Sequence, residues 1–394
     1  MIELEEARKR ILDVISPVQS ETIELSEIQG RILAENVIAP INLPTFDNSA
    51  MDGFAVRACE ATTGARLRNI AEVAAGTFFA DEVREGECVR IFTGSPMPTG
   101  MNAVVMQEDT RVEGEIVEIT DRVKPFENVR LKGEDVKEGT IVGQSGELLT
   151  PGHMSLLGSC GIAQVRVSKR PTIGLLATGN ELREPGATLA SGEIFESNRQ
   201  SIARLVENAG GKSRIYPLVS DTLGDTVKAL KSAFAECDAV ITSGGVSVGK
   251  HDYVKQAFRE IGGNVDFWKV RMKPGKPFVF GHLGNQFLYG LPGNPVSAFV
   301  TFLVLVRPGL LKMSGAIETK LPEHPASLAA SLVNQGNRRH FMRVFVDAKG
   351  QVHPVGMQAS HAVSPLAMAN GLIDVPPETT LEESTPVMVL RWVL

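Results

Sequence analysis

Leu4, Ala7, Ile11, Leu12 and Ile15 recur at helical spacing ahead of Pro17, and that stripe predicts a short amphipathic helix with one face packed against a larger body. From residue 32 to about 161 the pattern changes to short β-rich segments with glycine turns between them, at 37–39, 88–92, 103–106 and 116–119. One or two all-β lobes are expected there. Arg170-Pro171 marks a second change, because beyond it strand and helix patterns alternate: 172–177, 198–208, 214–219, 225–235, 239–242 and 252–261. Continuous apolar runs such as Ile173-Gly174-Leu175-Leu176 suit strands covered on both faces, so this stretch predicts a wound parallel α/β domain. The longest apolar run, 298–306, follows Pro295 and stops at Arg307-Pro308, as a buried helix would, and is too short to span a bilayer. After Lys312 short strands return at 341–346 and 387–390, and the 347–350 segment reads as a hairpin turn, which predicts a small C-terminal β-domain.

A length of 394 residues allows several domains, each able to bury its own core. Hydrophobic content of 43% and charged content of 22% exclude disorder and low complexity. A net charge of −6 argues against a broad nucleic-acid-binding surface, so any anion site must be local. Cys59, Cys88, Cys160 and Cys237 lie far apart with no Cys-x-x-Cys pair, which removes a zinc knuckle or redox dithiol and leaves reduced packing residues. The acidic, amphipathic residues 1–10 lack the apolar core of a signal peptide, and the expectation is a cytoplasmic protein with no membrane and no nucleic-acid partner.

Open α/β sheets bind ligands beyond the carboxyl ends of their strands, which directs attention to the residues following each strand segment. Thr242-Ser243-Gly244-Gly245 puts paired glycines directly after an apolar strand, where missing side chains let backbone N–H groups face an anion; the same segment ends in Asp252. Pro292-Gly293-Asn294-Pro295 repeats that arrangement after Phe287-Leu288-Tyr289. Glu181 follows the strand at Leu175, and Asp221 follows the one near Val219. MKPGKP, residues 272–277, adds Lys273 and Lys276 around a turn, the positive charge that a phosphate or oxyanion needs. Glu181, Asp221 and Asp252 would then face a lysine-bearing loop, a combination suited to Mg²⁺ held by acids and bridged to ligand phosphates. Taken singly, Asp221 or Asp225 suits a helix cap, Glu181 a solvated loop acid and Lys273 a surface charge; convergence on one rim is what favours a site.

Two further clusters stand out. Residues 43–57 pack Asp47, Asn48, Ser49, Asp52 and Gly53 between apolar flanks, and Thr93-Gly94-Ser95-Pro96 predicts a rigid turn exposing hydroxyls. In the tail, Arg338, Arg339 and Arg343 surround His340, with Ser360-His361 and Ser364 in a later loop. Such arginines can fork onto an oxyanion, or can blunt a strand edge; neither histidine has the spacing partner of a metal site.

The set DNSAMDG, FTGSPMPTG, TGNEL, SGGVSVG with HDY, MKPGKP and LPGNPVS, in this order and nearly end to end, closely resembles the molybdopterin molybdenumtransferase family, called MoeA in bacteria and related to the gephyrin E domain. The resemblance implies four domains: 1–45 with 136–170, a discontinuous helix and β domain; 46–135, a β-rich lobe; 171–313, the α/β molybdopterin-binding domain; and 314–394, a barrel-like β-domain. It implies a homodimer whose clefts combine the α/β and C-terminal domains of one subunit with the lobe of the other. The implied reaction converts adenylylated molybdopterin and molybdate into molybdenum cofactor and AMP, assisted by Mg²⁺. Asp52 and Thr93 would come from the partner lobe, and Glu181, Asp221 and Asp252 would act on metal and phosphate. Lys273, Lys276 and Arg339 would hold oxyanions, Pro292 and Pro295 would shape the ligand turn, and Ser243, Gly244, Gly245, Ser247, Gly293, Asn294 and Ser360 would complete the substrate contacts. A molybdopterin adenylyltransferase and molybdoenzyme maturation proteins are the implied partners. Asn180 departs from the common TGDE pattern and removes an acid from the rim, and Phe54 replaces a common Tyr. Two other readings are adenylyl transfer by the α/β domain alone, against which the long β regions count, and a gephyrin-like scaffold, against which the intact acid set counts.

Overall fold

The computed structural model describes residues 1–246 and 253–392. Thr172–Ala177 is buried along nearly its whole length, as its unbroken apolar run demands, and lies between parallel neighbours Lys212–Ile215 and Ala239–Ser243. The full sheet runs Lys212–Ile215, Thr172–Ala177, Ala239–Ser243, Gln286–Leu291, Pro277–Leu283, Asn264–Lys269. Its first four strands are parallel and its last two antiparallel. The pattern of apolar residues does not separate those two strands; they are reached through the 270–276 loop and the short turn at 284–285, not through crossover helices, and a run of phenylalanines pins them, with Phe267, Phe280 and Phe287 at centroid spacings of 5.7 and 6.1 Å.

Alternate residues of the strands feed opposite faces. Ile173, Leu175 and Ile241 join one core with Ile202 and Val206 of helix Asn198–Asn208, while Leu176 and Val240 join the other with Leu230 and Phe234 of helix Leu223–Phe234 and Phe258 of helix Val254–Glu260. The predicted N-terminal helix is Leu4–Val14, and its Leu4, Ala7 and Ile11 are buried against the α/β core.

The apolar segment continues past Arg307-Pro308 as one helix, Pro295–Met313; it is long and apolar enough to cross a membrane, yet 78% of its most apolar window is buried inside the protein, as befits a core helix. Residues 302–306 adopt the wider π turn, with Arg307 N donating to the Phe302 carbonyl, and this accommodates Pro308, which has no N–H to donate back. The carbonyl of Val304, four residues before Pro308, instead accepts from Arg8 Nε at 3.3 Å. A helix from the far end of the chain thus satisfies the proline's missing bond.

The N-terminal half folds on short antiparallel pairs, Ser20–Glu24 with Gln164–Ser168 and Val37–Ile38 with Ile141–Gly143, and on a six-stranded sheet containing Gly53–Val56 and Glu87–Ile91. At the other end, Arg339–Val346, Gln351–Pro354, Glu323–Leu328, Pro386–Arg391 and Gly371–Val375 pair in that order, and the last pairs back onto the first to close a small barrel. Met272–Lys273 extends this barrel by pairing in parallel with Arg339 and His340, so the loop holding both lysines is stitched to the C-terminal domain.

Candidate active site

At the carboxyl ends of the parallel strands lies a cavity of about 650 Å³, lined by Glu181 and Asp221 and by the two glycine turns, 243–246 and 292–295. Gly244 and Gly245 have φ of +88° and +66°; a Cβ on the first would sit 2.7 Å from the Thr178 carbonyl oxygen, and on the second 2.7 Å from Val254 Cγ2. Only glycine brings this turn so close to the neighbouring strand end.

Asn198 locks the two turns together. Its Nδ2 donates to Ser243 Oγ and to the Gly293 carbonyl, both at 2.7 Å. Nothing in the motif reading singled it out, because Glu196-Ser197-Asn198 before an amphipathic stretch reads simply as a helix start. That is also true: Glu196 Oε1 accepts from the backbone N of Asn198 and Arg199 at 2.6 and 2.9 Å.

Asn180 acquires a role of its own, its Oδ1 accepting from the backbone N of Asp221 at 3.0 Å. Asp225 is committed elsewhere. Its backbone N donates to Thr222 Oγ1 at 3.1 Å, and that hydroxyl donates to Asp225 Oδ2 at 2.8 Å, forming the cap of the following helix. Asp221, not Asp225, lines the cavity.

A second basin of about 710 Å³ carries the positive charge, from Lys273, Lys276 and Arg338, with Ser297 and Ser360. It shares Pro277, Pro292, Asn294 and His361 with the first, so the two are continuous. Asn294 Nδ2 donates to Ser360 Oγ at 3.1 Å, joining the glycine turn to a C-terminal loop.

The three tail arginines separate. Arg338 faces the basin and donates to the Met272 carbonyl at 3.0 Å. Arg339, the residue expected to hold an oxyanion, lines neither basin; it is ion-paired with Asp374 and Glu5. Neighbours at a strand start point to opposite sides, and two carboxylates hold Arg339 on the wrong one. Arg343 is fully buried, and its guanidinium donates to the carbonyls of Met357, Ala359 and Ala362 at 2.6, 3.2 and 2.7 Å, bracing the loop that bears Ser360. Burial, then the charges of Lys273, Arg343 and Arg338, push His340 down to about 4, so it is neutral near pH 7.

Asp52 and Thr93 meet in the N-terminal lobe, where Asp52 Oδ1 accepts from Thr93 N and Oγ1, each at 2.8 Å. Those bonds, the backbone one first, hold the Asp52 carboxyl below its usual range. Neither residue lines the two basins. In the same turn Ser95 is buried and donates to the Val73 carbonyl at 3.0 Å, so not every hydroxyl of that turn is exposed as expected. Ser247 and Asp252 lie outside the described residues. Among the described residues no three His, Cys, Asp or Glu side chains gather as a metal cage, while Glu181 and Asp221 line one cavity.

Residues 2–161 match the MoeA N-terminal region (domain I and II), residues 174–312 a probable molybdopterin binding domain, and residues 325–392 the MoeA C-terminal region (domain IV). The molybdopterin molybdenumtransferase of Haemophilus influenzae is 41% identical over 380 residues, covering 95% of this chain and 94% of its own. Molybdopterin molybdenumtransferase 2 of Mycobacterium tuberculosis is 37% identical over 404 residues, covering 100% and 99%. The crystal structure of the molybdopterin biosynthesis MoeA protein from Pyrococcus horikoshii superposes over 100% of both chains with a TM-score of 0.88 at 30% identity. Sequence, order of regions and fold agree over the full length, and the chain belongs to the molybdopterin molybdenumtransferase family, transferases of molybdenum cofactor biosynthesis.

Proposed function

We propose that this protein transfers molybdenum from molybdate into adenylylated molybdopterin, releasing AMP and forming molybdenum cofactor. The observation that carries this reading is the continuity of the two basins, one with glycine turns and carboxylates and one with three cationic side chains, across four shared residues. A phosphoanhydride and an oxyanion can lie side by side in such a cleft. Attack by a molybdate oxygen or water breaks the phosphorus–oxygen bond, AMP leaves, and negative charge builds on the non-bridging oxygens. Lys273, Lys276 and Arg338 stabilise that charge, while the Gly244 amide is used within the fold, donating to the Leu291 carbonyl at 3.1 Å. The dithiolene thiols of the same substrate then bind molybdenum, their two protons leaving with one molybdate oxygen as water, a soft-ligand preference of thiolates.

Glu181 and Asp221 fit Mg²⁺, which ordinarily takes only one or two carboxylates beside waters and substrate phosphates. Bound there, the ion would neutralise phosphate charge; Asp252 is the third acid assigned to it by motif. We further propose a homodimer in which the lobe of one copy carries Asp52 and Thr93 to the cleft of the other, since in their own chain they line neither basin. Separate apolar clusters in the first β domain, the lobe, the α/β core and the barrel support the four-domain division. Four unpaired thiols suit the cytoplasm.

The test is incubation with adenylylated molybdopterin, molybdate and Mg²⁺ while AMP is followed. Release that requires both molybdate and Mg²⁺ is expected. Pyrophosphate release from ATP and molybdopterin without molybdate would replace this reading with adenylyl transfer. Sedimentation as a single-copy species would remove the shared cleft.

A further inference from the structure

Pro277, Pro292, Asn294 and His361 line both basins, and among these four only the histidine carries a side chain of the kind that takes up and gives back a proton near neutral pH. Its place is set by the fold. Ser360 and His361 are the central pair of a tight turn closed by Ala362 N, which donates to the Ala359 carbonyl at 3.3 Å. Buried Arg343 holds the carbonyls on both sides of that pair, Ala359 at 3.2 Å and Ala362 at 2.7 Å, and Asn294 Nδ2 ties Ser360 to the glycine turn at 3.1 Å. His361 is therefore an exposed residue on a braced turn, at the junction of the acidic and basic ends.

The reaction proposed above needs protons carried across that junction. Two dithiolene S–H groups lose theirs as the sulfur–molybdenum bonds form, and one molybdate oxygen gains two to leave as water. The charged groups facing the basic end, Lys273, Lys276 and Arg338, are cations with no lone pair to accept a proton. At the acidic end Glu196 is bonded to the backbone N of Asn198 and Arg199 and to Arg199 Nε, while Glu181 and Asp221 suit Mg²⁺ and do not line the basic end. Among the described residues, His361 is left. We propose that His361 is the proton relay of metal capture: a ring nitrogen takes each thiol proton as a sulfur–molybdenum bond forms and passes it to the same departing oxygen. Molybdenum keeps its oxidation state, the ring ends as it began, and the water carries both protons away. The proposal rests on the reaction above and adds a catalytic residue to its second step.

Wild type and His361→Ala are mixed with adenylylated molybdopterin, Mg²⁺ and molybdate, and AMP is followed in parallel with the charge-transfer absorbance of the new thiolate–molybdenum bonds. Trimming an exposed side chain should leave the melting temperature unchanged. AMP should appear at the wild-type rate in the variant, while metal capture slows about 10²-fold. Added imidazole should restore capture several-fold, and N,N′-dimethylimidazolium, of similar shape but unable to accept a proton, should not. Capture at the wild-type rate, any slowing of AMP release, or a slow variant that imidazole leaves slow would each overturn the relay alone. A wild type that releases no AMP overturns the reaction on which it rests.

Discussion

The acidic end of the cleft is built mainly on the strand ends of one sheet, the basic end on loops of two domains. Thr178 and Glu181 follow Thr172–Ala177, the Gly244-Gly245 turn follows Ala239–Ser243, and Pro292 to Asn294 follow Gln286–Leu291, so parallel register alone brings these groups to one rim. At the basic end, the 272–277 loop, Arg338 and the loop bearing Ser360 come from separate stretches of chain. They are held by the pairing of Met272-Lys273 with Arg339-His340, by Arg338 on the Met272 carbonyl, by Asn294 on Ser360, and by Arg343 on the carbonyls of its loop. The difference teaches that chemistry at the acidic end can be altered without loosening the protein, whereas charge at the basic end is coupled to the joint between domains.

The largest expected effect follows from that contrast. Asp221→Asn and Glu181→Gln should cut the rate of AMP release by on the order of 10²–10³-fold while leaving the melting temperature unchanged; a stable variant with full activity would refute the assignment of that acid.

Acid should damage the basic end through His340. The unfolded chain takes up this proton near pH 6.5, but the folded protein refuses it until about 4. The unfolded state therefore binds more protons in that window, and stability present above pH 6.5 is lost as pH falls through 4, by up to about 3 kcal/mol. Denaturant melts at pH 7 and pH 4.5 should differ less in His340→Gln than in wild type; an equal difference would remove His340 as the cause.

Next in size, Arg338→Ala should raise the KM for molybdate about tenfold, from loss of a charge-assisted contact. Arg339→Ala should leave that KM alone and lower thermal stability, having lost its pairs with Asp374 and Glu5. The reverse result would exchange the two roles. Smallest is Thr222→Ala, which removes the cap beside Asp221 and should cost about 1 kcal/mol in chemical denaturation with turnover little changed.

Strand-following turns are readable because α/β folds place ligands at strand ends, which reaches Glu181, Asp221, Gly244 and Gly245, while Lys273 and Lys276 are read from the charge of the 272–277 turn. Asn198 escaped, since a helix-capping segment and a cavity floor look alike along the chain. Arg307-Pro308 read as a stop, yet a π turn and Arg8 carried the helix onward to Met313.

Residue order by itself determined which strands are buried on both faces, where glycine must turn and which acids and lysines stand beside those turns, because periodicity and backbone freedom are local properties. Only the tertiary structure decided which of three nearby arginines faces the cleft. Glu5 and Asp374 claim Arg339, loop carbonyls enclose Arg343, and Arg338 is left facing the cleft. Those partners come from distant segments, and a charge is spent or free according to what folding puts next to it.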